Sequence, residues 1–124
     1  MAGGPRKVNL DRGISAAKQA LMSERVKPAD CRTMAEVRQG VDRLDEEIVA
    51  RIGERFRYMD AAARIKPDRE AVRDEARKAQ VLANVARHAE AEGAPPPAVL
   101  ELYERLIEAS IAYEFDRYDE TRGA

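Results

Sequence analysis

Apolar side chains return every three or four residues from Val37 through Val41, Leu44, Ile48, Ile52, Phe56 and Met59 to Ala63, the spacing of one helical face. Thr33 and Glu36 make a T-x-x-E capping box ahead of this stripe, and Pro67 closes it, so the pattern predicts one helix over 33–66. A helix of that length spans roughly 50 Å. A compact globule of 124 residues has a radius of gyration of about 14 Å, hence a diameter near ~35 Å. The helix overshoots its own domain, so its stripe needs something else to cover it. A second copy of the chain is the simplest cover.

A second apolar series, Val72, Ala76, Ala79, Val81, Leu82, Val85, Ala86 and Ala89, predicts a helix over about 72–92 whose short side chains suit close helix packing. Gly93 reads as its stop, and Pro95-Pro96-Pro97 supplies a proline for the first turn of the next helix. That third helix is expected over about 97–118, with Val99, Leu100, Tyr103, Leu106, Ile107, Ile111, Phe115 and Tyr118 inward. Three helices, short connections and no strand pattern make the chain all-α. Gly40 and Gly53 interrupt the long helix, and the close approach of a neighbouring helix is the expected reason.

Residues 1–32 read as an N-terminal extension, flexible or forming a short helix over 14–26 that Pro28 breaks, and 33–124 as the helical domain. Met22 is an alternative start for the chain. The extension carries seven basic and three acidic side chains, whereas the remainder carries 15 and 20. The overall charge of −1 gives no general case for nucleic acid or membrane as a partner. Cys31 is the single cysteine, which excludes an intrachain disulfide and suits a reducing compartment. There is no run of the ~18 apolar residues a membrane span needs. The basic start lacks the apolar core of a secretory signal, so the expected location is the cytoplasm.

Polar residues on apolar faces carry the chemical information. Arg55 and Lys66 are eleven residues apart on the long helix, within about 20° of one another around its axis, and Met59 and Ala62 share their face. Arg38 lies about 25 Å earlier on a different side of the helix. It cannot join the same small site within one chain, but in a dimer whose long helices run past each other it reaches the neighbour's Arg55 and Lys66. On the third helix Ser110 and Glu114, one turn apart, continue the apolar stripe, and a glutamate facing a core is costly unless paired or protonated. Asp74 and Lys78 have the spacing of an exposed salt bridge, with Arg77 beside them. His88, the single histidine, falls on an expected solvent face and supports no metal site.

Arg38, Arg55, Lys66, Arg77, Ser110 and Glu114, in this order on three helices, resemble the all-helical chorismate mutases and their relatives the isochorismate pyruvate lyases. The framework of the resemblance is Met34-Ala35-Glu36-Val37-Arg38, Val41-Asp42-Arg43-Leu44-Asp45, Arg55 and Ala62-Ala63-Arg64-Ile65-Lys66. It runs from about Pro28 to the end of the chain. It implies an intertwined homodimer and a small-molecule substrate, chorismate or isochorismate, turned over without a cofactor. By the same resemblance Arg38 of a partner copy and Arg55 bind the two substrate carboxylates, with Arg77 assisting. Lys66 donates to the enolpyruvyl ether oxygen, Glu114 sits beside that oxygen and Ser110 lies near the ring carboxylate. Asp74 meets the ring hydroxyl, and Ala62, Val81, Ile107 and Ile111 form apolar walls.

Such residues suffice for the rearrangement of chorismate to prephenate, which needs a selected conformer and stabilised negative charge on the ether oxygen. Two positions depart from the common pattern. Glu114 stands where most bacterial members carry glutamine, and a carboxyl there helps a developing oxyanion only if it holds a proton. Lys78 stands where mutases place a glutamate for the ring hydroxyl, and that glutamate is also lost in the lyases. Pro28-x-Asp30-Cys31 and Thr121-Arg122-Gly123-Ala124 look lyase-like as well, whereas Ser110 and Asp74 look mutase-like. The expected activity is therefore chorismate mutase, with isochorismate pyruvate lyase as the alternative and a non-catalytic helical dimer as the rival from another class.

Overall fold

The computed structural model describes residues 25–123. These residues are all-α: helices α1 (Met34–Ile65), α2 (Glu75–Ala91) and α3 (Pro96–Thr121), with 3-10 turns at Pro28–Asp30 and Arg69–Val72. Residues 14–24 of the expected helix over 14–26 and the alternative start at Met22 lie outside the described residues, and Arg25 and Val26 are not helical. No helix among those described is long and apolar enough to cross a membrane. The chain divides into two compact units, one ending at Ile52 and the other beginning at Gly53.

In the first unit the capping box forms as the sequence predicts. Thr33 Oγ1 accepts from the Glu36 N–H at 3.2 Å, and Glu36 Oε1 accepts from the N–H of Thr33 at 3.1 Å and of Arg32 at 2.7 Å. The Arg32 N–H, and after it that of Thr33, hold the Glu36 carboxyl below its ordinary range. Ahead of the helix, Arg25 donates to Glu47 at 2.9 Å, and a 3-10 turn follows at Pro28–Asp30. The stripe of α1 remains open. Val37, Val41, Leu44 and Ile48 are all exposed, Ile48 at 52% and Leu44 at 41%. The close approach expected at the α1 glycines is not made among the described residues. A Cβ on Gly40 would meet nothing within 4 Å, and one on Gly53 would meet only an Arg57 side chain of its own helix.

The second unit holds the core. Ala63 from the end of α1, Val72 from the 3-10 turn, Val85 and Ala89 from α2 and Ile107 from α3 are buried together with Ser110 and Glu114. Phe56 and Tyr113 meet edge to face at 5.0 Å, and Asp60 accepts from the Tyr113 hydroxyl and from Arg117 Nε. The start of α2 corrects the sequence reading. Residues 69–72 form a 3-10 turn capped by Asp68, and α2 begins at Glu75 because the Asp74 carboxylate accepts the Arg77 N–H at 3.0 Å. Ala76 and Ala79 are consequently exposed. Gly93, at φ 72°, ends α2 as predicted, with the Ala94 N–H returning to Ala89 O at 2.9 Å and the Gly93 N–H to Glu90 O at 3.2 Å. The third helix runs further than expected at both ends, over Pro96–Thr121.

Lys78 is the second correction. It does not pair along its own helix with Asp74; its ammonium reaches across to α3, 2.6 Å from Glu104 and 2.7 Å from Glu108. Arg73 donates to the same Glu108, tying the approach to α2 onto α3. The Arg73 guanidinium first, then Lys78, hold the Glu108 carboxyl at about 2. A lowered carboxyl contributes its stability fully above the unfolded value of 4.5 and loses it as pH falls through about 2. Glu108→Gln is therefore expected to flatten the acid side of the stability curve between those values, read as melting temperature against pH. A variant curve parallel to the original would remove Glu108 from the acid response.

Candidate active site

The end of α1 and the middle of α3 bring four polar side chains together in the second unit. Arg55 Nη1 donates to Ser110 Oγ at 2.8 Å, and that hydroxyl donates onward to the Leu106 carbonyl at 2.7 Å. Ser110 is only 3% exposed, so the bond to its own helix leaves its oxygen turned to the arginine. The Arg55 guanidinium also lies over the Tyr103 ring, 5.6 Å from its centre. Tyr103 is the site contact that periodicity missed, because at its position it counted only as part of the apolar face.

Lys66 and Glu114 form the other pair. Lys66 is the first residue beyond α1, and its Nζ stands 2.7 Å from Glu114 Oε2. Glu114 is 3% exposed, so the expected inward glutamate is inward and paired, not rotated to water. The ammonium approaches outside hydrogen-bonding angles, and Oε2 has no hydrogen-bond partner among the described residues. A buried carboxyl oxygen with an ion pair but no formed hydrogen bond retains capacity for a ligand atom. Ile107, one turn before Ser110 on α3, is buried, and Ile111, Ala62 and Val81 are half-buried.

Arg77 and Asp74 stand differently. Both are exposed at the start of α2, where Arg77 donates to Gln80 and the Asp74 carboxylate is occupied as the helix cap. Their bonds are local, and none links them to Arg55, Lys66, Ser110 or Glu114. Arg38 is exposed in the first unit. The assembled group thus holds two cations, one buried carboxyl and one buried hydroxyl, a set suited to gripping an anion and stabilising charge on a nearby oxygen.

A family model described as chorismate mutase type II matches residues 37–115, which include the four clustered residues. The chain is also 37% identical over 97 residues to a protein named isochorismate pyruvate lyase from Pseudomonas aeruginosa, an alignment covering 78% of this chain and 96% of that protein. The matched segment takes in most of all three helices and the relative aligns over nearly its whole length, and the chain belongs to the chorismate mutase type II family of enzymes.

Proposed function

We propose that the protein rearranges chorismate to prephenate, in a site completed by Arg38 of a second copy. The observation that carries this reading is the convergence of Lys66, Glu114, Arg55 and buried Ser110 at the end of α1 and the middle of α3. The substrate carries two carboxylates, and Arg55 supplies one planar fork for them. Arg38 of the partner supplies the second, and Arg77 assists from the start of α2. Holding both carboxylates selects the folded conformer in which the two carbons to be joined are close. As the ether bond breaks, negative charge grows on its oxygen, and the Lys66 ammonium is already fixed beside that place. Glu114, already paired with the Lys66 ammonium, sits beside the same oxygen. Ala62, Val81, Ile107 and Ile111 wall the site against water, which strengthens each of these interactions. The bonds that form and break lie within one molecule, so no cofactor takes part.

The dimer is supported by the open stripe of α1, where Val37, Val41, Leu44 and Ile48 expose apolar surface that a second copy of the helix would bury. The lone Cys31 thiol suits a cytoplasmic setting.

A second reading, isochorismate pyruvate lyase, has specific support of its own. The relative from Pseudomonas aeruginosa bears that name. In addition, Asp74 accepts the Arg77 N–H as a helix cap and a lysine, Lys78, turned to Glu104 and Glu108, stands where a second carboxylate would meet the ring hydroxyl of chorismate. In the lyase reaction a ring hydrogen moves to the enolpyruvyl carbon as the ether bond breaks, giving salicylate and pyruvate. Chorismate and isochorismate offered separately to the purified protein distinguish the two. Prephenate from chorismate at the higher kcat/KM is expected. Dominant salicylate and pyruvate from isochorismate would install the lyase, and turnover of neither would leave the non-catalytic dimer.

A further inference from the structure

The last turn of α1 has a defect that the chain itself repairs. In an α-helix the carbonyl of residue i accepts the N–H of residue i+4. For Ala63 that residue is Pro67, which has no N–H. Ala63 is fully buried, at 0% exposed, so water cannot take the place of the missing amide. The guanidinium of Arg122 takes it instead. Its Nη1 donates to Ala63 O at 2.7 Å, and its Nη2 donates to Lys66 O at 2.8 Å.

Arg122 is itself held in place. Its guanidinium stacks 3.8 Å from the centre of the Tyr118 ring, and Nη1 also reaches Thr121 Oγ1 at 2.9 Å. One turn earlier, Asp119 takes a two-pronged grip from Arg69 at 2.9 and 3.2 Å, fastening the end of α3 to the 3-10 turn. A cation at this point also complements the negative end of the α1 dipole. Lys66 is thus gripped twice, by Glu114 of α3 at its ammonium and by Arg122, the C-cap of α3, at its carbonyl.

We infer that Arg122 is a positioning residue of the site: by replacing the amide that Pro67 lacks, it fixes the main chain of Lys66 and so the place of the Lys66 ammonium. The consequence for rate rests on the proposed reaction, whereas the clamp itself does not. Two measurements on the full chain keep them apart. Exchange of the Lys66 amide, which donates to Ala62 O at 2.9 Å, reads the clamp without substrate. Arg122→Ala is expected to lower its protection while leaving Val85 and Ala89 of α2 protected. Unchanged protection at Lys66 would overturn the clamp.

Kinetics read the positioning. Arg122→Ala is expected to lower kcat about 10- to 100-fold, with KM moving much less, since misplacement of a catalytic group by about 1 Å is enough for such a loss. Arg122→Lys, whose single ammonium cannot span both carbonyls, is expected to recover only part of the rate and serves if the alanine variant does not fold. In a Lys66→Ala background, Arg122→Ala should cost almost nothing further. An equal loss in both backgrounds would overturn the positioning role. A wild-type protein that turns over neither substrate would end the proposed function, and the amide exchange would still decide the clamp.

Discussion

Replacing Lys66 by alanine is expected to lower kcat by about 10²- to 10³-fold, the usual consequence of removing one preorganised donor at a developing oxyanion. The ammonium ends 2.7 Å from Glu114 and is 29% exposed, so its removal opens no cavity in the core. It does strip the buried Glu114 carboxyl of its counter-charge. Breaking a buried pair is destabilising, here discounted to roughly 1–3 kcal/mol because one partner is partly solvated. Stability and rate should therefore separate in the double variant. Lys66→Ala with Glu114→Gln removes the stranded charge and is expected to regain most of the lost melting temperature while the rate stays low. A single variant that keeps its rate within a few-fold would show that the ether oxygen is stabilised elsewhere.

The second large effect concerns the two ends of α1. Arg38→Ala and Arg55→Ala are each expected to lose about 10²-fold or more in kcat/KM, since each removes one carboxylate grip. Co-expressed or refolded together, the two variants should recover activity. In a mixed dimer one site combines the intact Arg55 of one protomer with the intact Arg38 of its partner, and the other site lacks both. Random pairing places half of the protomers in mixed dimers, so about a quarter of wild-type activity is the expected ceiling. Failure to recover, with mixed dimers verified by mass, would mean that Arg38 does not act across protomers.

Much of this architecture was legible in local patterns because local rules decide it. Thr33 with Glu36, Pro67, Gly93 and the proline run each end or begin a helix through their own backbone chemistry, and all four act as expected. The start of α2 was misread because Val72 fits the apolar period while Asp74, two residues later, caps more strongly than period alone suggests. Helical spacing pairs Lys78 with Asp74 because it sees only neighbours on one helix; Glu104 and Glu108 become its partners only once α3 lies alongside. The inward place of Ser110 and Glu114 could be read from their stripe, since periodicity reports the face of a helix. Which cation each would meet depends on the packing of α3 against the end of α1, and no spacing encodes that. Arg122 escaped notice for the same reason, although Pro67 gave a sign: a proline four residues after an inward Ala63 leaves one buried carbonyl in need of a distant donor.

Pro67 also bears on the entropy of the site. The residue before a proline is crowded out of the helical region, and Lys66 is accordingly the first residue outside α1. That restriction is covalent and acts in the unfolded chain as well, where Lys66 already samples fewer backbone conformations than an ordinary lysine. Ordering the lysine on folding therefore costs less than it would before any other residue. Part of its preorganisation is written into the chain before a single contact forms.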